Sequence, residues 1–149
     1  MDRSASLEAA LLRLPHGAEF RFIDRLLSLV PGRSGTAEYA VRGDEPFLRG
    51  HFPGEPIFPA VLLIEAAAQL AGAVAQSDPE ILPLEGLKLT AVRNAKIFGT
   101  ARPGEKIRIE AHIRGRLGHL IQATALALVS GRQILTAELT LAGENKVLS

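Results

Sequence analysis

Hydrophobic and polar positions divide the chain into one continuous apolar stretch and several alternating ones. From Ala60 to Ala75 only Glu65 and Gln69 are polar, so positions 59–76 predict a helix buried nearly all round. Pro59 suits its start, where a missing N–H costs nothing. Ile107, Ile109, Ala111 and Ile113 alternate with Arg108, Glu110, His112 and Arg114, the period of a half-buried strand. Beyond a Leu117-Gly118 turn, residues 120–129 are apolar on both faces, as a central strand is. Ser130-Gly131 turns the chain again, and Leu135, Ala137, Leu139 and Leu141 alternate in a further strand. Three strands joined by tight turns predict an antiparallel meander. Upstream, residues 20–30 are rich in strand formers and end at Pro31-Gly32, and Ala37, Tyr39 and Val41 alternate within 36–42. Leu7, Ala10, Leu11 and Leu14 share a helical face that Pro15 ends, which predicts a short helix over 4–14.

The lengths are compatible. A helix of roughly 17 residues spans about 26 Å, and strands of about ten residues span roughly 33 Å, so a long sheet can wrap one helix. Many of the helical positions are alanine, which lets strands approach closely. The prediction is an α+β fold, with residues 1–149 as a single domain, since no repeat, low-complexity tract or Ser/Gly linker divides them.

Composition narrows the function. With 47% hydrophobic and 22% charged residues and a formal net charge of +1, wholesale disorder is excluded. The basic excess of a nucleic-acid binder is missing. Zero cysteines remove disulfides, thiolate zinc sites, iron–sulfur clusters and cysteine nucleophiles. The N-terminus lacks a basic-then-apolar signal pattern, and the apolar stretch at 60–75 is too short for a comfortable membrane span. A soluble, cytoplasmic protein without membrane or nucleic-acid partners is expected.

Glu65 is the exception in the apolar helix. A carboxylate there carries a desolvation cost, so it is paired, protonated or functional. Backbone or arginine partners would satisfy it as a purely structural group. Gln69 follows at i+4, and Gly72 and Gln76 continue a stripe able to line a polar site. His51 lies upstream in Gly50-His51-Phe52-Pro53-Gly54, a proline-punctuated loop feeding the helix. Histidine titrates near neutrality and is the commonest general base, although a lone loop histidine is more often incidental. Beside a buried glutamate and a helix N-terminus the set becomes coherent. A base, an acid and free backbone N–H donors suit removal of a proton next to a carbonyl. His16, His112 and His119 read as surface or structural. No nucleophile elbow, phosphate loop or metal-ligand spacing is present.

The segment Gly50-His51-Phe52-Pro53-Gly54-x-Pro56-x-x-Pro59-x-Val61-Leu62-x-x-Glu65-Ala66-x-Ala68-Gln69 resembles the signature of FabZ-type 3-hydroxyacyl-[acyl-carrier-protein] dehydratases. Leu14-Pro15-His16 with Phe22-x-Asp24-Arg25, and Pro103-Gly104-Glu105, extend the resemblance along most of the chain. Glutamate at position 65 favours the FabZ over the FabA type. The resemblance implies a hot-dog fold, in which an antiparallel sheet wraps one long helix. It also implies a homodimer, in some members a trimer of dimers, with the histidine of one subunit facing the glutamate of the other. On this resemblance His51 removes the α-proton of a 3-hydroxyacyl thioester and Glu65 protonates the departing hydroxyl. Ala60, Val61 and Gln69 are expected at the substrate and its oxyanion, and no cofactor or metal is required.

Three departures stand out. Ala60 replaces a family glycine whose N–H holds the thioester carbonyl. Gly17, Ala18 and Glu19 replace basic and aromatic-proline residues, and Asn94 stands where an aspartate is common. Charge adds a partner. Residues 85–116 hold eight Lys or Arg and three Glu, a local balance of +5, against −4 for the remainder. Acyl carrier protein is acidic, so Arg93, Lys96 and Arg102 are expected to dock it, although a solvated strand face would look the same. The rival readings are a hot-dog acyl thioesterase and a catalytically impaired acyl-binding protein.

Overall fold

The computed structural model describes residues 9–11 and 14–145. The long helix α1 (Ala60–Ala75) packs on a six-stranded antiparallel sheet. The strands are β1 (Arg25–Val30), β2 (Ser34–Ala40), β3 (Glu85–Ile97), β4 (Lys106–Leu117), β5 (Leu120–Val129) and β6 (Arg132–Glu144). Their order across the sheet is β1-β2-β4-β5-β6-β3. This is the hot-dog architecture, and the predicted meander is β4-β5-β6, paired antiparallel with one register shift in each pairing, at Ile113/Gly115 and at Ala127/Leu128.

Alternation along the strands builds the core. Ile107, Ile109 and Ala111 of β4, the odd positions 121–129 of β5, and Leu135, Ala137, Leu139 and Leu141 of β6 are all buried. Against them α1 buries Leu63, Ala67, Leu70, Ala71 and Val74. Each fully buried Leu, Ile or Val contributes about 1.5–3 kcal/mol, whereas alanine contributes far less. The alanines of α1 are there for distance. Gly35 on β2 shows how close the layers come, because a Cβ at that position would lie 2.7 Å from Val74 Cγ2.

The chain departs from expectation in four places. Strand β1 begins at Arg25, because residues 18–20 form a 3-10 turn. Pro59 is the residue before the helix, in extended conformation, so α1 starts at Ala60. Strand β5 is interior, but its even positions are partly covered or exposed and only its odd positions enter the core. Strand β3 lies at the sheet edge. Only Leu87 and Leu89 of it are half-buried, and its pairing with β6 is interrupted by three irregularities, so it shows no clean alternation to read. Of the predicted N-terminal helix, residues 9–11 are helical, and the remainder up to residue 13 lies outside the described residues.

The β2–α1 contact sets a stability test. Gly35→Ala should destabilise the fold by about 1–3 kcal/mol, the usual result of overpacking a close contact. Urea denaturation at neutral pH measures it, and unchanged stability would show that β2 and α1 are not closely packed here.

Candidate active site

His51 sits in a loop that the chain braces at both ends. Before it, Glu45 accepts hydrogen bonds from the Tyr39 hydroxyl (2.8 Å), from Arg42 N–H (3.1 Å) and from Gly43 N–H (2.6 Å). This pins the segment after β2 to the strand it has just left. Burial pushes the Glu45 carboxyl up, but the Tyr39 hydroxyl and the backbone N–H donors outweigh it and leave the group below its ordinary value. Burial, reinforced by the bond to Glu45, raises the Tyr39 hydroxyl above its ordinary value. After the histidine, Phe52 and Glu55 exchange backbone hydrogen bonds of 2.9 Å each way. Gly54 occupies the left-handed conformation this turn needs, at φ 77°. Phe58 then enters an aromatic cluster, with ring centroids 5.4 Å from Tyr39, 5.5 Å from Phe47 and 6.1 Å from Phe22. Helix α1 starts two residues later.

The brace defines the imidazole. His51 Nδ1 lies 3.0 Å from the Ile57 carbonyl oxygen. A carbonyl only accepts, so Nδ1 carries the proton and Nε2 is left with a free lone pair. His51 is therefore presented as a base. At the helix start, the N–H groups of Leu62 and Leu63 are taken by the Pro59 carbonyl at 3.0 and 3.2 Å. Those of Ala60 and Val61 have no upstream carbonyl to bond, no side chain caps them, and Val61 is 71% exposed. Among the described residues the non-glycine positions with positive φ are Asn94 and Ser130. Ala60 is thus unstrained, and the methyl group is all that separates it from glycine.

Glu65 is the sixth residue of α1, about one and a half turns in, and is partly buried. Its Oε1 is 3.1 Å from His16 Nε2 and 3.2 Å from Gln69 Nε2. His16, expected to be surface or structural, is thereby placed against Glu65 and in the lining of the same cavity. Gln69, expected at the substrate, lines the cavity beside Glu65, and its amide is bonded within the chain. Its Oε1 accepts Phe22 N–H at 3.0 Å, and its Nε2 also donates to the Phe20 carbonyl at 2.8 Å. Fully buried and fully bonded, Gln69 clamps the N-terminal segment onto α1 and holds Glu65. The signal that could have found His16 was its place in Leu14-Pro15-His16, ahead of Phe20 and Phe22. The partner that segment would meet was not visible in spacing.

Beside Glu65 opens a cavity of about 620 Å³, within the usual range of small-molecule sites. It follows the helix stripe from Glu65 through Ala68 and Gly72 to Gln76, with Leu87 and Leu141 among the residues opposite. That stripe is about 16 Å long. At its far end the Gln76 amide exchanges hydrogen bonds with the Leu84 backbone, at 2.7 and 3.1 Å. His51 does not line this cavity. Within the chain, His51 and Glu65 share neither this cavity nor a hydrogen bond among the described residues.

Arg93 and Lys96 project from β3 and are exposed. Arg102 follows that strand and pairs with Glu55 of the His51 loop at 3.6 Å, an exposed contact worth little on its own. Asn94 adopts φ 50° at a bulge and donates to Glu138 Oε2 at 2.6 Å. Aspartate there would set two carboxylates together. His112 and His119 are exposed. Among the described residues no group of three His, Asp or Glu side chains could hold a metal ion. No helix among them is long and apolar enough to cross a membrane.

Fold and loop together define a hot-dog protein with a histidine ahead of its helix and a carboxylate upon it. The chain belongs to the FabA-like family, whose domain matches residues 14–138. It is 33% identical over 126 residues to the 3-hydroxyacyl-[acyl-carrier-protein] dehydratase FabZ of Myxococcus xanthus, covering 84% of this chain and 82% of that one. Among solved structures it resembles a chain of the dehydratase heterocomplex ApeI:P from Xenorhabdus doucetiae, with TM-score 0.77 and 18% identity over 91% of each chain. Thioesterase superfamily member 2 of zebra fish shares the fold at TM-score 0.67 and 18% identity, over 89% of this chain and 90% of that one. At such identities the structural likeness speaks for the fold alone.

The Glu45 brace gives a pH dependence. Its folded-state value lies below the unfolded one, so its stabilisation is fully present above the unfolded value of about pH 4.3 and is lost as pH falls through the folded value. The stability advantage of wild type over Glu45→Gln should be largest at neutral pH and shrink on acidification. Chemical denaturation at neutral and acid pH checks this. An advantage independent of pH would contradict it.

Proposed function

We propose that the protein dehydrates 3-hydroxyacyl-[acyl-carrier-protein] to the trans-2-enoyl thioester in fatty-acid or related acyl-chain synthesis. The observation that carries the reading is the fixed imidazole, whose Nδ1–H is held by Ile57 and whose Nε2 is free. Membership of the FabA-like family and the named activity of the Myxococcus xanthus relative support the same chemistry. His51 Nε2 takes the proton from Cα while the Ala60 and Val61 N–H groups hold the thioester oxygen as it gains charge. The Cα–H electron pair becomes the double bond, the Cβ–O bond breaks, and Glu65 gives its proton to the hydroxyl, which leaves as water. His51 ends protonated and Glu65 ionised, and return of one proton to Glu65 resets the site.

Since His51 does not line the Glu65 cavity, the centre forms between two copies of the chain, with His51 of one subunit serving Glu65 of the other. The long exposed edge β3 offers unpaired backbone groups for that association. Acyl carrier protein docks on the basic surface that includes Arg93, Lys96 and Arg102. Of these, Arg102 is tied through Glu55 to the His51 loop, whereas Arg93 and Lys96 share β3 with the edge used for dimerisation.

His51→Ala and Glu65→Ala should each lower enoyl formation from a 3-hydroxyacyl-carrier-protein about 10²–10⁴-fold, the usual worth of a general acid or base. Release of free thiol without enoyl product would establish a thioesterase instead. An inactive wild type revived by Ala60→Gly would establish an impaired acyl-binding protein. The cavity adds a selectivity test. A Cβ at Gly72 would meet Leu87 Cδ2 at 3.4 Å, so Gly72→Val fills the channel, and kcat/KM should fall more for long acyl chains than for short ones. An equal fall for both would place the acyl chain elsewhere.

A further inference from the structure

We propose that His16 is a positioning residue for Glu65, fixing which carboxyl oxygen carries the proton. The inference rests on the dehydratase reading above. His16 Nε2 stands 3.1 Å from Glu65 Oε1, while His16 Nδ1 is buried without a hydrogen-bond partner among the described residues. A proton on Nδ1 would be a buried, unmet donor, which is costly, whereas a bare lone pair there costs less. The imidazole is therefore the neutral Nε2–H tautomer, donating to Glu65.

Oε1 then accepts two N–H donors, from His16 and from Gln69. Oε2 makes no hydrogen bond among the described residues. A neutral Glu65 must carry its proton on one oxygen, and two donors aimed at Oε1 place it on Oε2. The donors also set the carboxyl plane. Gln69 is bound on every side to Phe20, Phe22 and Glu65, and His16 stands nearly parallel to the Phe20 ring, with centroids 6.3 Å apart. The Arg21 guanidinium reaches the His16 carbonyl at 3.4 Å. Each neighbour of the pair is thus fastened to the same N-terminal segment, so His16 holds Glu65 from a surface that folds over α1 as a unit.

The test compares wild type, His16→Ala, His16→Gln, Glu65→Gln and the His16→Ala/Glu65→Gln pair with a 3-hydroxyacyl-carrier-protein substrate. Glutamine is the conservative replacement, because its Nε2 is as many bonds from Cβ as the imidazole Nε2. His16→Ala should lower kcat about 10- to 100-fold, as loss of alignment does, with KM unchanged. His16→Gln should recover most of that loss, and the double variant should be no slower than Glu65→Gln. Wild-type kcat in His16→Ala, no recovery by glutamine, or an equal further loss in the Glu65→Gln background would overturn the proposal. Nitrogen-15 NMR of the imidazoles tests it without turnover. The expected result is an Nε2–H tautomer for His16 at neutral pH whose signals move in Glu65→Gln. An Nδ1–H or doubly protonated His16 would overturn it. A wild type that forms no enoyl product overturns the dehydratase reading, and the NMR result still decides the placement of His16.

Discussion

A carboxylate on an otherwise apolar helix is tolerated only when donors meet it, and the arrangement around Glu65 is how this fold meets that demand. Gln69, one turn on, gives one N–H to Glu65 and spends the rest of its amide on the backbone at Phe20 and Phe22. That commitment draws the N-terminal segment across α1 and brings His16 to the same carboxyl oxygen, Oε1, that Gln69 meets. The wall of the cavity, the clamp on the segment and the orientation of the acid are one set of hydrogen bonds. Removing any member leaves a buried polar group unmet, which costs more than the bond itself was worth.

The alanines serve the same end from the opposite face. By keeping α1 slim, they let β2 and β4 approach closely enough that Gly35 has no room for a side chain. The helix is held rigidly on its sheet side, so the stripe from Glu65 to Gln76 faces a stable channel. The His51 loop is rigid for separate reasons. Glu45, the Phe52–Glu55 turn and the Phe58 aromatic cluster fasten it independently of Glu65. The His51 imidazole and the Glu65 carboxyl are thus each held by contacts within one chain.

Much of this was legible in the residues. Helix α1 and the β4-β5-β6 meander follow from apolar periodicity, because their buried positions repeat at the period of the element. Strand β3 escaped for the converse reason. It runs along an edge where only Leu87 and Leu89 are partly covered, and bulges break its alternation. His51 and Glu65 stood out as chemistry out of place, whereas the hydrogen bonds of Gln69 and the place of His16 beside Glu65 did not. Spacing places Gln69 on the Glu65 stripe, and it cannot reveal that the amide is already bonded to Phe20 and Phe22. His16 lies 49 positions from Glu65 in sequence, and only the folded segment joins them.

The proposed centre is shared between subunits, with His51 from one and Glu65 from the other. Mixing inactive His51→Ala and Glu65→Ala subunits tests this directly. A shared centre gives each mixed dimer one intact site, so equal mixing after subunit exchange should restore about a quarter of wild-type activity. If both groups acted within one chain, no mixed dimer would hold an intact site, and activity would stay at the level of the separate variants.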